Sequence, residues 1–148
     1  MERLAYEKVY CDTNAIIHAV ENYSHAARQL LRAARRGDLV LITSHLTLHE
    51  ALIGPLASGA RDLAARYQDA LLDEAVFTLI EVDEDALIAA AHLRSVNKKL
   101  DLADAIHIAS ATMADCAFML SEDVGMDAFL PEDIERLTLE DLAEEMAA

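Results

Sequence analysis

The stretch Val9-Tyr10-Cys11-Asp12-Thr13-Asn14 decides the fold. Its short apolar run predicts a buried β-strand, and the carboxylate at the end of that strand is followed by apolar residues at helical spacing. A buried strand that leads directly into a helix is typical of parallel α/β sheets, in which ligands bind outside the carboxyl edge of the sheet. Asp12 is therefore the first candidate functional residue.

Working outward, the rest of the chain repeats the same alternation. Five strands are predicted, at residues 8–11, 39–43, 77–82, 117–120 and 136–138. Helices are predicted between them, and the helix that follows Ser44 is expected to end at Gly54-Pro55. Strands alternating with helices in this way predict a parallel sheet of four to five strands with helices on both faces.

Length and composition set the class of protein. The chain has 148 residues, 54% of them apolar, which predicts a single globular domain over residues 1–148. No apolar run approaches the ~20 residues that span a bilayer, and the first residues lack the pattern of a signal peptide. Cys11 falls in a predicted buried strand and Cys116 lies immediately before another, so we expect free thiols and a cytoplasmic protein.

The net charge is −15, which counts against tight, non-specific binding of nucleic acid. The charges are unevenly distributed, because Arg136 is the single base in an acidic tail from Glu132 to Glu145. Basic residues cluster earlier in the chain, at Arg28, Arg32, Arg35, Arg36, Arg94, Lys98 and Lys99. This distribution allows a local basic rim or a basic protein partner.

Three more acidic residues follow predicted strands or begin predicted helices: Glu50, Asp104 and Asp123. In a parallel sheet the chain can bring them to the same edge as Asp12. Carboxylate oxygens select hard cations such as Mg²⁺ or Mn²⁺, and such ions activate water and stabilise the charge that develops on a phosphodiester. The four acids together therefore predict a metal-dependent nuclease.

Each acid also has a purely structural interpretation. Asp12 can cap the helix that follows it, Glu50 can be a solvated helix residue, and Asp123 can belong to a turn. Asp101 and Asp104 fit the N-cap and third positions of a helix, where acids interact favourably with the helix dipole. For Asp101 we favour the capping role.

The order of these motifs resembles the PIN-domain ribonucleases, most closely the VapC type, which is the toxin half of toxin–antitoxin pairs. The segments that carry the resemblance are Tyr10–Asn14, His49-Glu50-Ala51, residues 102–111 and residues 120–123. It implies a three-layer α/β/α sandwich, Mg²⁺ or Mn²⁺ held by Asp12, Glu50, Asp104 and Asp123, and an RNA substrate. It also implies a homodimer, a cognate antitoxin, and a residue at Thr13 or Asn14 that supports the first carboxylate.

The fourth acid departs from the family pattern, in which Thr-x-Asp commonly ends the last core strand. Here Ser121-Glu122-Asp123 stands at that point. Because serine keeps the hydroxyl, we assign Asp123 as the fourth acid and Ser121 as its support, with Asp127 as the alternative. Glu122 is expected to be solvated.

Other chemistries find less support. His45 and His49 lack the order of a His-Glu-x-x-His zinc site, and the chain has neither a Gly-x-Ser-x-Gly elbow nor a glycine-rich phosphate loop. His107 lies one turn beyond Asp104, but we favour a packing or surface role for it. Arg94, Lys98 and Lys99 are candidates for an RNA path or simply a solvated helix end.

Two hypotheses follow for the function. The first is a metal-dependent endoribonuclease that a cognate antitoxin holds in check. The apolar helices in residues 13–37 and 60–72 are candidates for an antitoxin groove or a dimer face, but such stripes are more often simply core. The second is a PIN-like domain without activity that serves as a binding module. The charge of −15 and the altered fourth motif keep the second hypothesis open.

Overall fold

The computed structural model describes residues 2–147. Its central feature is a five-stranded sheet in which every neighbouring pair of strands is parallel. The strands are β1 (Lys8–Cys11), β2 (Val40–Ser44), β3 (Phe77–Ile80), β4 (Phe118–Leu120) and β5 (Glu135–Leu137). Their order across the sheet is β3-β2-β1-β4-β5, so the strand that carries Asp12 at its end lies in the middle.

Helices cover both faces of the sheet. They are α1 (Thr13–Asn22), α2 (His25–Arg35), α3 (His45–Ser58), α4 (Arg61–Leu71), α5 (Glu84–Val96), α6 (Leu102–Met113) and α7 (Leu139–Ala147). Short 3-10 helices span Glu2–Leu4 and Val124–Ala128. The three-layer α/β/α architecture expected from the alternation of strands and helices is confirmed.

Two apolar cores lie on opposite faces of the sheet because side chains alternate along each strand. Val9 and Cys11 of β1 belong to the core beneath α1, α2, α4 and α7. Tyr10 points to the other face, where its core is completed by α5 and α6. The alternation along β1 thus places Tyr10 on the face of the sheet that α5 and α6 cover, and Val9 and Cys11 on the opposite face.

The structure differs from the sequence prediction at Gly54-Pro55, where α3 was expected to end. The helix continues through both residues to Ser58 and ends at Gly59, whose φ of 75° is a left-handed C-cap. Proline lacks the N–H that would bond to the carbonyl one turn earlier, but here Pro55 is buried. Burial of its ring in the contact with neighbouring elements offsets the lost hydrogen bond.

Cys11 and Cys116 are both buried and free, as predicted. Burial raises the pKa of both thiols, that of Cys116 to about 12. Within residues 2–147, none of the helices has the length and apolar character needed to cross a bilayer.

Candidate active site

Asp12 lies at the point where β1 passes into α1, and its residue is only 4% exposed. Its N–H donates to the Leu120 carbonyl oxygen of β4 (3.2 Å), which continues the sheet by one hydrogen bond. Its Oδ1 accepts from the backbone N–H of Ala15 (2.8 Å), so Asp12 is the N-cap of α1. The capping interpretation therefore holds, and it fixes the orientation of the carboxylate at the carboxyl edge of the sheet.

Ser121 supports Asp12 from the end of the neighbouring strand. Its residue is fully buried, and a hydrogen bond from its side chain favours the ionised form of Asp12. Burial outweighs this interaction and raises the pKa of Asp12 above its ordinary value, and the charge of Asp123 raises it further. Asp12 is thus a carboxylate that the fold makes costly to ionise.

Asp123 follows β4 and shares the Ser121 side chain with Asp12. Its N–H donates to Ser121 Oγ (3.1 Å), and its Oδ1 accepts from the N–H of Gly125 (2.9 Å). Asp123 is therefore a turn residue as well as a neighbour of Asp12. The turn interpretation and the position expected for the fourth acid are thus compatible in this structure.

Asp104 lies in the first turn of α6. Its N–H donates to Oδ1 of Asp101 (2.8 Å), which is the N-cap of the helix as expected. Burial raises the pKa of Asp104, and the negative charges of Asp101, Asp123 and Asp12 raise it further. Three aspartates from β1, β4 and α6 consequently repel one another at one edge of the sheet.

Glu50 has the opposite electrostatic environment. From α3, its Oε1 accepts hydrogen bonds from Thr13 Oγ1 (2.6 Å) and from His107 Nε2 (2.8 Å). The hydrogen bond from His107 is the largest cause that lowers the pKa of Glu50, and the bond from Thr13 adds to it. Glu50 is therefore the acid that the fold holds in its ionised form.

The two supporting residues next to Asp12 have different roles. The resemblance implied that Thr13 or Asn14 would support the first carboxylate, but Thr13 donates to Glu50 instead. Asn14 is exposed and lines an open pocket of about 450 Å³ that also includes His18 and Asp123. Because Asp12 turns toward Ala15 to cap α1, the nearest support for its charge comes from Ser121 rather than from Thr13.

His107 is the residue that sequence reasoning undervalued. It is only 2% exposed, and its two ring nitrogens contact Glu50 and the Tyr10 hydroxyl. The available signal was its spacing, because residues three apart on a helix lie on the same face. The position of His107 three residues after Asp104 therefore directed it toward the same edge of the sheet.

The alternative fourth acid, Asp127, is engaged elsewhere. Both of its oxygens accept from Arg136, at 2.8 and 3.3 Å, and Arg136 also donates to the Ser121 carbonyl oxygen (3.0 Å). Glu122, expected to be solvated, is exposed but accepts from the N–H of Leu139 (2.9 Å) at the start of α7. Asp123 is therefore the acid in this segment that interacts with Asp12 and Asp104.

The donor set suits a hard cation in its chemistry but is not preassembled. Carboxylate oxygens are the ligands that Mg²⁺ and Mn²⁺ prefer, and a cation would offset the burial and the mutual repulsion that together raise the pKa of Asp12 and Asp104. Among residues 2–147, however, no three His, Cys, Asp or Glu side chains are close enough to form a metal site as they stand. Side-chain rotation would have to bring the carboxylates together around an ion.

The basic residues near the start of α6 divide into two kinds. Arg94 donates from Nε to the Leu100 carbonyl oxygen (3.0 Å), so it braces the turn before Asp101. Lys98 and Lys99 are exposed in the same turn. Two exposed cations thus lie next to the helix end that carries Asp104.

Comparison with known proteins supports this reading of the fold. Residues 9–129 match the PIN domain family, while no curated protein matches the sequence. The chain is similar in structure to the VapBC2 complex of Rickettsia felis bound to a promoter DNA fragment, at 12% identity and a TM-score of 0.74, covering 88% of this chain and 98% of that one.

Two further solved structures have the same fold. The DNA-bound VapBC of Salmonella typhimurium has 16% identity and a TM-score of 0.70, covering 90% of this chain and 98% of that chain. VapC20 of Mycobacterium tuberculosis, a Sarcin-Ricin loop cleaving toxin, has 16% identity and a TM-score of 0.66, covering 81% and 93%. The structural neighbours of this chain thus include VapC toxins. Because the PIN domain model matches residues 9–129, which is more than half of the sequence, the chain belongs to the PIN domain family.

Proposed function

We propose that this chain is a Mg²⁺-dependent endoribonuclease, with Mn²⁺ as a possible substitute, and that it is the VapC-type toxin of a toxin–antitoxin pair. The observation that carries the proposal is the convergence of Asp12, Asp104 and Asp123 at the carboxyl edge of the sheet, where their charges repel one another. A fold gains nothing in stability from such repulsion. A cation that binds there offsets it, which is the usual reason for carboxylates to be brought together.

The residues have distinct roles in this proposal. Asp12, Glu50, Asp104 and Asp123 hold the ion, which when bound activates water and stabilises charge on the phosphodiester. Thr13 holds Glu50, and Ser121 supports Asp12. Lys98 and Lys99 provide phosphate contacts next to Asp104, which offset part of the unfavourable net charge of −15.

An antitoxin has a suitable docking place on the opposite side of α1. A groove of about 470 Å³ lies between α1, α2 and α4 and has an apolar lining that includes Val20, Tyr23 and Leu31. Structures of this fold have been solved as toxin–antitoxin complexes from Klebsiella pneumoniae and Salmonella typhimurium.

A homodimer is the second assembly that we propose. Ile53 and Leu56 are one turn apart on α3 and are 53% and 62% exposed. They lie in the second half of the helix that carries Glu50, where Gly54 has open space around its Cα. A second copy packed against this face would bury the pair.

The alternative is a PIN-like domain without activity that acts as a binding module. The observation in its favour is that the carboxylates of the described residues do not form a metal site as they stand. A second observation in favour of the binding module is the net charge of −15, which disfavours tight binding of nucleic acid. A module of this kind would keep its partner after substitution of Asp12.

The test is Mn²⁺ binding, followed by electron paramagnetic resonance, for the wild-type protein, Asp12→Asn and Asp104→Asn. We expect saturable binding by the wild-type protein and its loss in both variants. The same proteins are then incubated with total RNA, with Mg²⁺ or with a chelator, and only the wild-type protein with Mg²⁺ should cleave. Equal, weak Mn²⁺ binding by all three proteins would instead support the binding module.

A further inference from the structure

A largely buried chain of hydrogen bonds lies beneath the carboxylate edge and connects four elements, α3, α6, β1 and β2. His107 of α6 is at its centre, with Nε2 2.8 Å from Glu50 Oε1 and Nδ1 2.7 Å from the Tyr10 hydroxyl. Tyr10 of β1 is in turn 3.0 Å from Ser44 Oγ at the end of β2. His107 and Tyr10 are 2% and 0% exposed, so water does not compete for the contact between them, whereas Glu50 at the end of the chain is partly exposed.

The direction of the hydrogen bonds follows from Glu50. An ionised carboxylate only accepts hydrogen bonds, and His107 Nε2 lies 2.8 Å from Glu50 Oε1, so Nε2 carries the proton in this contact. Thr13 Oγ1 lies 3.3 Å from the same nitrogen and donates to the same Oε1. This assignment holds whether the ring is neutral or charged, because Nε2 is protonated in both cases.

The two donors act on one oxygen. Thr13 and His107 both bond to Oε1 of Glu50, and among the described residues no donor contacts Oε2. These two hydrogen bonds hold Oε1 of Glu50 in place. A glutamate side chain has several rotatable bonds, and holding one of its oxygens leaves the other with a narrow range of positions.

From these contacts we infer that His107 is a positioning residue, which, backed by Tyr10, holds Oε1 of Glu50 so that Oε2 is presented to a divalent cation. The inference rests on the proposed function, because it assigns Glu50 to the metal site. Residues that orient the ligands of a metal ion typically change its affinity about 10- to 100-fold when they are removed. His107 thus acts on the cation through Glu50 and does not contact the reacting atoms.

The experiment measures Mn²⁺ affinity by electron paramagnetic resonance in the full chain. Removing only His107 would leave the buried Tyr10 hydroxyl without a partner, which is costly in itself. The variants are therefore made in a Tyr10→Phe background, where His107→Leu removes the donor and His107→Gln keeps an N–H donor for Glu50. His92→Gln, at an exposed histidine of α5, is the matched control.

We expect Tyr10→Phe/His107→Leu to bind Mn²⁺ about 10- to 100-fold more weakly than the wild-type protein. Tyr10→Phe/His107→Gln should recover most of the affinity, and His92→Gln should bind as the wild-type protein does. Circular dichroism and thermal unfolding verify that each variant is folded. A role in packing alone would not distinguish the leucine variant from the glutamine variant by their affinity for the metal.

Two results overturn the inference while the proposed function stands. In the first, the wild-type protein binds Mn²⁺ and the leucine variant binds it equally well. In the second, the leucine and glutamine variants lose affinity to the same extent. If the wild-type protein binds no more Mn²⁺ than Asp12→Asn, the proposed metal site and the inference fail together.

Discussion

At the scale of single residues, Asp12 combines a structural role with the functional role that we propose for it. Its Oδ1 caps α1, while burial and Asp123 raise its pKa. The hydrogen bond to the capping oxygen stabilises the start of α1, whereas the buried negative charge lowers the stability of the folded protein. The two contributions can be separated because asparagine keeps a side-chain oxygen for the cap and has no charge.

Asp12→Asn is expected to stabilise the metal-free protein at pH 7. A carboxyl group whose folded pKa is raised binds more protons in the folded state, so stability is lost as pH rises from 3.8 through the raised value. Removing the charge should recover on the order of 1 kcal/mol, or ~2–4 °C in Tm for a domain of this size. Thermal unfolding in a chelator measures this change.

The same experiment contains its own control. At pH 3, below the ordinary pKa of an aspartate, both proteins are neutral at this position and the difference in Tm should disappear. Addition of Mg²⁺ should raise the Tm of the wild-type protein and leave that of Asp12→Asn unchanged. A less stable variant at pH 7 would contradict the electrostatic explanation.

Glu50 should show the opposite dependence on pH. Its folded pKa is lowered by His107 and Thr13, so its contribution to stability is present above 4.5 and is lost as pH falls through the lowered value. We expect Glu50→Gln to be less stable than the wild-type protein at pH 7 and to approach it in acid. Urea unfolding between pH 3 and pH 7 measures the difference, and a gap that widens in acid would refute it.

At the scale of elements, the start of α6 is organised by a pair of aspartates. Asp101 caps the helix and at the same time raises the pKa of Asp104 through its charge. The helix end thus combines a gain from the cap with a cost from repulsion. It supplies both Asp104 and, one turn later, His107.

Asp101→Ala should destabilise the protein by about 1 kcal/mol, the usual cost of removing an N-cap. Asp101→Asn keeps the capping oxygen and removes the charge, so it should be close to the wild-type protein in stability. Chemical unfolding compares the two. Equal stability of the alanine and asparagine variants would show that the cap contributes little.

The prediction of elements was accurate where local chemistry decides the outcome. All five strands occur, and Asp101 caps α6, because apolar runs and capping side chains act within a few residues. It failed at Gly54-Pro55, where burial of Pro55 allows α3 to continue to Ser58. A local rule for proline could not include this burial, because the packing partners are distant in sequence.

At the scale of the whole molecule, exposed apolar side chains on α3 bear on the dimer that we propose. Ile53 and Leu56 form an exposed pair on α3. Burying such side chains in an interface is favourable by ~25 cal/mol for each Å² removed from water. A second copy is the partner that we propose for this face.

Ile53→Glu combined with Leu56→Glu should therefore convert a dimer into a monomer, since it buries two charges in the proposed interface. Light scattering coupled to size-exclusion chromatography gives the mass directly. Leu72→Glu, at a residue that is 56% exposed at the end of α4, is the matched control and should leave the mass unchanged. A wild-type protein that is monomeric at all concentrations would refute the proposed dimer.

The sequence by itself determined the architecture and the four acids to consider, because strand and helix periodicity and capping are local properties. Only the tertiary structure decided how those acids are held. It placed Thr13 on Glu50 rather than on Asp12, paired Asp127 with Arg136, and buried His107 between Glu50 and Tyr10. These contacts join residues up to 97 positions apart. They depend on the order of strands in the sheet, and no spacing within one motif contains that information.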